Sequence, residues 1–514
     1  MKIFLNKLFF SKCTVLICLA ASAVSVLLNY SFRFGYVFID NALFSGFSLI
    51  LYSFALLNTG ILLAEAALIM KHSDLCRKKI FRILQLACEL FSAVFSIVVL
   101  VNLIVSGSES NSVAWKLCRE ILPLWLAVTG ISAALFIIPN IKEKVLKKAL
   151  AGIISAAMVF VVFNAVFPVS SFCFTSGPVV FDNGKNYSVV FSTSDNATAY
   201  IEYEYLGKKI RIYDENNGRK KADTIHTVHI PYEQLSGNTY KVFSTHIIDE
   251  LSYGGRSGKT IESEAVLFKD NLGEHFNILS VSDWHTHNEK AKKAVSCLED
   301  YQAVILLGDC APGMMFKQEA ADYLLSLASD LSGGSMPVLF ARGNHETRGR
   351  EAGNLAGYLG MESFYYTASL GAYNFIVLDS GEDKKDSHSE YGEMVVYEQN
   401  RIKMVDWLNT LENTDNAKTI ALSHDRNICL EENLSETAHD KLDKLHVSLL
   451  VSGHSHTSEF MDNRPFPVLV DGGINAAGKG TYVASLISLS QDKINIKSVS
   501  SIGEEMINET VLWR

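Results

Sequence analysis

The hydrophobic rhythm of the chain changes twice. Residues 1–170 hold five long apolar stretches, near 13–31, 44–70, 83–105, 121–139 and 149–168. Each is long enough, as a helix, to cross a hydrocarbon core of roughly 30 Å. After Phe167-Pro168 the pattern shortens to alternating runs such as Tyr187-Ser188-Val189-Val190-Phe191 and Ala199-Tyr200-Ile201-Glu202-Tyr203. Clusters such as Asp182-Asn183-Gly184 and Glu215-Asn216-Asn217-Gly218 separate these runs. Short strands with regular turn signals predict a small β-sandwich over 176–268. From 274 to 514 the rhythm changes again. Strand runs at 276–281, 303–307 and 337–341 alternate with helical segments at 289–298 and 318–331. That alternation predicts βαβ units and a largely parallel, buried sheet. Further runs at 373–378, 419–422, 447–451, 466–470, 481–489 and 493–499, with a helix near 398–411, extend it to a two-sheet α/β sandwich flanked by helices.

The expected fold is therefore multi-domain: an N-terminal α-helical membrane bundle, a β-sandwich and an α/β sandwich. Basic residues orient the first part. Lys2, Lys7 and Lys12 precede the first span. Lys71, Arg77, Lys78, Lys79 and Arg82 separate the second and third, and Lys142, Lys144, Lys147 and Lys148 the fourth and fifth. The other connections carry only Arg33, then Lys116 and Arg119. The positive-inside rule then predicts a multi-pass membrane protein with a cytoplasmic N-terminus and an extracytoplasmic C-terminal part. A competing reading takes Ala21-Ser22-Ala23 as a signal-peptidase site, but the apolar run continues through Leu27 and Leu28.

Charge divides the chain in the same place. The 514 residues carry a net charge of −9, of which residues 1–170 contribute +8 and the remainder −17. Thirteen of the fourteen histidines follow residue 170. A strongly acidic C-terminal part argues against nucleic acid as a partner, because phosphate backbones bind to basic surface. The nine cysteines show neither metal-finger spacing nor a disulfide framework.

The histidines fall into blocks. Ser282-Asp283-Trp284-His285, Gly308-Asp309, Gly343-Asn344-His345-Glu346, Ser423-His424 and Gly453-His454-Ser455-His456 each follow a short apolar run. Each would emerge at the carboxyl end of a strand, where open α/β sheets bind ligands. Carboxylate, imidazole and amide oxygen together suit Zn, Mn or Fe better than an all-oxygen magnesium or calcium cage. Asp283, His285 and His456 can close around one ion and Asn344, His424 and His454 around another, with Asp309 shared. Two ions about 3.5–4 Å apart can hold a hydroxide and clamp the oxygens of an in-line phosphoryl displacement. His226 and His229, on a predicted strand, are read as solvent-facing rather than as ligands.

These five blocks, in this order, resemble the calcineurin-like metallophosphoesterase family over residues 274–514. The resemblance implies two divalent or trivalent transition-metal ions. Asp283, His285, Asp309 and His456 would hold the first, and Asp309, Asn344, His424 and His454 the second. It also implies catalytic roles for His345, facing the leaving oxygen, and for Glu346, orienting that histidine. Arg348 and Arg426 are candidate substrate-binding residues. The run from His226 to Leu235-Ser236-Gly237-Asn238-Thr239-Tyr240 is similar to fibronectin III-like domains, including the one in purple acid phosphatases. The site departs from that subtype: Pro312 stands where its tyrosine would be, and His285 where its glycine would be.

The function expected from the sequence is a membrane-anchored, extracytoplasmic dinuclear-metal phosphoesterase. It would hydrolyse phosphomonoesters or phosphodiesters by attack of metal-bound hydroxide. The alternative is a membrane sensor or scaffold that binds a phosphorylated ligand without turnover. A linker of about eight residues after the last span points to a membrane- or envelope-associated phosphoester, with membrane lipid as a further partner.

Overall fold

The computed structural model describes residues 172–251, 254–413, 418–462 and 465–514. Among these, no helix is long and apolar enough to cross a membrane. The five predicted spans lie outside the described residues. The membrane bundle, the lipid partner and the extracytoplasmic multi-pass placement are therefore corrected out of the account. What remains is an α/β sandwich of two sheets with flanking helices.

Residues 172–247 and 258–514 form one compact unit. The centre of its first sheet is parallel. Phe276–Val281 pairs with Ala303–Leu306, which pairs with Pro337–Phe340. Ala303–Leu306 and Pro337–Phe340 are wholly buried, as strands covered on both faces must be, and their sequences are accordingly continuous apolar runs. On one side three antiparallel strands follow, Tyr482–Leu489, Lys493–Ser500 and Glu505–Leu512. On the other side Phe174–Asp182 pairs parallel with Pro337–Phe340, through Val180↔Pro337 and Phe181↔Val338. The strands of the intermediate segment thus continue this first sheet.

The nineteen-residue strand Tyr187–Tyr205 organises that segment. Its first half pairs with Phe174–Asp182 and Asp223–Ile230, its second half with Lys208–Tyr213 and Thr239–Leu251. A separate apolar cluster, including Phe191, Ile201, Tyr240 and Phe268, fills the space these strands enclose.

The second sheet runs in the order Tyr366–Leu370, Tyr373–Leu378, Lys418–Ser423, Val447–Ser452, Val468–Val470, Glu459–Met461. Its middle pairings are parallel. Helices Tyr397–Thr410 and Glu432–Lys444 cover one face through Met404, Leu408, Ala438 and Leu442. The predicted helix at 318–331 is continuous from Lys317 to Ser332 but contains a π-helical stretch, Ala320–Leu325. Gly333, at φ 56°, ends it in a left-handed cap. Trp284 is fully buried, with its indole N–H donating to Tyr323 O at 3.0 Å. Burying that side chain contributes about 3 kcal/mol.

Candidate metal centre

Register brings the predicted residues together. In the first sheet Val281, Leu306 and Phe340 lie side by side. Asp283, Asp309 and Asn344 follow these aligned positions by two, three and four residues. In the second sheet Leu378 lies beside Ser423, and Val451 beside Leu422. His424, His454 and His456 leave from those strand ends. Both sheets thus deliver polar side chains from their carboxyl edges to one place.

The chain is bent sharply to do this. Asp283, His285, Asp309, His454 and His456 all have positive φ, between 37° and 71°. Non-glycine residues rarely adopt that region, and such outliers cluster at functional sites. Close approach also sets the glycines. A methyl group on Gly343 would strike the Asp309 carboxylate and Glu346 Oε2, and one on Gly453 would strike Ser282 and Asp283.

Each central carboxylate has one oxygen pinned and one turned inward. Asp309 Oδ1 accepts from the backbone N–H of His345 at 2.9 Å, and Asp283 Oδ2 from that of His454 at 2.8 Å. Asp309 Oδ2 then faces Nε2 of His424 at 3.3 Å, of His285 at 3.7 Å and of His345 at 3.9 Å. Asp283 Oδ1 faces Nε2 of His456 at 3.7 Å, and of His285 and His424 at 4.0 Å. It is buried and has no hydrogen-bond partner. Leaving a buried carboxylate oxygen without a partner costs several kcal/mol, on the order of 3.

Backbone carbonyls fix several imidazoles. His424 Nδ1 donates to Leu307 O at 2.5 Å, His456 Nδ1 to Ile474 O at 3.0 Å and His345 Nδ1 to Pro312 O at 3.0 Å. A carbonyl only accepts, so each Nδ1 carries hydrogen and each Nε2 presents a lone pair inward in the neutral ring. The Asn344 side chain stands 3.1 Å from both His424 Nε2 and His454 Nδ1. With its oxygen turned to them, either the rings are protonated toward it or a metal ion lies between the three groups. With its NH2 turned to them, it donates to both rings and to Asp309, and its oxygen accepts from Arg348. The first orientation is the one a metal needs.

Among the described residues, three groups have donor atoms within 4.8 Å of one another and can hold an ion: Asp283, His285 and His456; His285, Asp309 and His345; and Asp309, His424 and His454. Neighbouring clusters share Asp309, the arrangement a dinuclear centre requires. The separations of 3.7–4.0 Å around Asp283 are too long for hydrogen bonds and leave room for an ion between. The residues therefore fit the metals expected from the sequence.

Proton affinities in the ion-free protein follow the same field. Burial pushes His285 down to about 4, against the pull of Asp309 and Asp283. Burial also opposes a charge on His424, but Asp309 and Asp283 outweigh it and raise that ring to about 10. Asp309 is held below its usual range despite burial, through His424 and His345. Glu346 is pushed up by burial and by the charge of Asp309.

Glu346 is buried and accepts from three backbone N–H groups, those of Asp309 at 2.8 Å, Cys310 at 2.6 Å and Gly343 at 2.9 Å. The ring of His345 instead lies between Pro312 O and Arg348 Nη1, the latter 3.2 Å from Nε2. Arg348 donates to both oxygens of Glu382 and, at 3.2 Å, to Asp383. Arg426 lies apart from the imidazole cluster, paired with Glu459 at 3.2 Å. Glu382 and Asp383 were not singled out from the sequence. They follow the strand Tyr373–Leu378 through Asp379-Ser380-Gly381, so the strand-end rule that found the other blocks also marks them.

Residues 276–458 match the calcineurin-like phosphoesterase family. Together with the clustered His and Asp side chains, this match makes the chain a metal-dependent hydrolase. Among solved structures it is similar to a purple acid phosphatase from yellow lupin (Lupinus luteus) seeds, at 15% identity and a TM-score of 0.44, covering 65% of this chain and 74% of that one. It is also similar to GAP50, the anchor in the inner membrane complex of Plasmodium, at 16% identity and a TM-score of 0.33, covering 47% and 89%. A third is the phosphopantetheinyl hydrolase of Mycobacterium tuberculosis, at 16% identity and a TM-score of 0.27, covering 39% and 89%. No curated protein matches the chain.

Proposed function

We propose that the chain is a dinuclear-metal phosphoesterase. In this reading Asp283, His285, Asp309 and His456 hold one ion, and Asp309, Asn344, His424 and His454 the other. The observation that carries it is the buried, unpartnered Asp283 Oδ1 among three imidazole nitrogens at 3.7–4.0 Å. The His345 N–H holds Asp309 Oδ1, so Asp309 would be the fixed carboxylate shared between the two positions. The mixed donors suit Mn, Fe or Zn. When bound, the ions supply positive charge to the phosphoryl oxygens and an activated water as nucleophile.

The rest of the work belongs to side chains. Glu346 braces the turns carrying Asp309 and Asn344 by accepting three N–H groups, so the carboxylate and the amide keep their relative positions. His345 stands at the rim with Nε2 toward the substrate space, fixed behind by Pro312 O. Its contact with Arg348 places positive charge where the leaving oxygen gains negative charge.

The test is turnover by the full chain loaded with Mn, Fe or Zn. Generic phosphoesters are expected to be hydrolysed, and Asp309→Asn to lower kcat/KM by roughly a thousandfold or more. Metal-replete wild type inert toward every phosphoester contradicts the reading.

A further inference from the structure

The turn that carries His345 is tied to a segment of the second sheet. Beyond the strand Tyr373–Leu378, residues 379–396 pass through the short 3-10 turn Ser389–Tyr391 to the helix Tyr397–Thr410. Long connections of this kind inside a compact unit are commonly functional. The anchor of this one is Glu382, which is buried. Arg401, itself fully buried, donates to the Glu382 backbone carbonyl at 3.2 Å. The Glu382 carboxylate accepts from Arg348 through Nε and, at 3.1 Å, Nη2. It also accepts from Thr347 Oγ1 at 3.1 Å and from Tyr391 Oη. Burial opposes its charge, but donation from Arg348 and Tyr391 outweighs burial and holds the carboxyl at about 2. Tyr397 Oη adds a further tie, donating to Thr347 O at 2.8 Å.

A guanidinium has five N–H donors in a rigid plane. In Arg348, Nε and one N–H of Nη2 go to Glu382, and the other N–H of Nη2 goes to Asp383 at 3.2 Å. Nη1 donates to His345 Nε2 at 3.2 Å, which leaves one N–H on Nη1. The two-point fork on Glu382 fixes the plane of the guanidinium, and with it the direction of Nη1. His345 Nδ1 donates to Pro312 O at 3.0 Å, so the ring is held at both nitrogens. Glu346, next in the chain to His345, instead gives its oxygens to the N–H groups of Asp309, Cys310 and Gly343.

We propose that Glu382 is the positioning residue of His345, acting through Arg348, with Tyr391 keeping the Glu382 carboxylate in place. The inference rests on the dinuclear-phosphoesterase reading of the same centre. Glu382 does not meet the ester; it sets where the His345 ring and the Arg348 charge stand when the leaving oxygen gains negative charge. The value of that placement rises with the charge the oxygen must carry. A phenolate needs more of it than a p-nitrophenolate, whose ring already spreads the charge.

The experiment compares phenyl with p-nitrophenyl esters, as phosphates and as methyl phosphates, using Mn-loaded full-length protein whose bound Mn is counted by atomic absorption. Whichever ester class the wild type turns over supplies the readout. In Glu382→Gln, kcat on the phenyl ester should fall about thirtyfold and on the nitrophenyl ester about threefold or less, with KM within about twofold. Bound Mn should stay at the wild-type level. Tyr391→Phe, which removes one donor and no charge, should show the same pattern at about threefold on the phenyl ester. It carries the test if Glu382→Gln does not fold. In a His345→Ala background neither substitution should lower kcat further, because residues acting through one another are not additive. Equal losses on the two leaving groups, no loss on either, loss of bound Mn, or the full loss in the His345→Ala background overturns the proposal while leaving the phosphoesterase reading intact. Wild type inert toward all of these esters overturns both.

Discussion

Among the described residues, the histidine–carboxylate groupings around Asp214 and around Asp283 are built on opposite principles. In the intermediate strands, His226 is fully buried with Nδ1 at 3.3 Å from Asp214 Oδ2, while Lys221 reaches the other oxygen at 3.0 Å. The backbone N–H of Thr227 adds a donor at 3.4 Å. Here imidazole, ammonium and amide all come within 3.4 Å of the carboxylate, with Asp214 Oδ1 left to the Lys221 ion pair and no hydrogen bond of its own. At the strand ends of the phosphoesterase sheets, Asp283 is equally buried, yet three imidazoles stop at 3.7–4.0 Å and one oxygen has no partner. Both pair histidine with a carboxylate that is itself buried. The distance differs, and it separates a self-satisfied polar pair from a site shaped around a missing cation.

That contrast is breakable. The largest expected effect is that of Asp309→Asn on turnover, already stated. Next comes metal removal. Chelation should lower the thermal midpoint of wild type, because a metal at a hundred times its Kd stabilises by about 2.7 kcal/mol per site. His226→Phe should leave both the metal content and the chelator-induced shift unchanged. The same substitution should cost about 3 kcal/mol of stability in denaturant, since it leaves Asp214 buried with one partner fewer. A loss of metal in His226→Phe would erase the distinction between the two groupings.

Gly343→Ala should destabilise by about 2 kcal/mol and lower metal affinity together, because the added methyl meets both Asp309 and Glu346. Metal affinity unchanged by that substitution would mean that the turn does not set the position of Asp309.

The last effect is one of pH and lies outside both groupings, in the intermediate strands. Asp182 is buried, and burial raises it to about 6, although Tyr232 and the Gly184 N–H donate to it. A raised carboxyl keeps its proton longer in the folded state, so its contribution is present below pH 3.8 and is lost as pH rises through about 6. The stability of wild type relative to Asp182→Asn should therefore fall by about 3 kcal/mol between pH 4 and 7 and then level off. Unfolding by denaturant at several pH values checks this; a flat difference contradicts the buried neutral carboxyl.

The ligand blocks were legible because each is an apolar run followed by polar residues, and strand ends in α/β sheets are where such residues act. The alternation at 276–341 placed three of the blocks correctly along the sheet. Local pattern does not carry pairings between distant segments, so the joining of Phe174–Asp182 to Pro337–Phe340 was not visible. Nor were the left-handed turns at Asp283 and His456, which no residue preference predicts. His226 was read as facing solvent; it is buried, whereas His229, three residues on, is exposed. Alternation on a strand says that two faces exist and not which one a second layer covers. Glu382 was passed over because its meaning comes from Arg348, thirty-four residues earlier.

The central claim is a pair of metal ions for which Asp309 would be the shared ligand. Electron paramagnetic resonance of the full chain loaded with Mn(II) tests it most directly. The account predicts two ions per chain and an exchange-coupled signal that collapses to isolated six-line spectra in Asp309→Asn. Isolated six-line spectra in fully loaded wild type would contradict it.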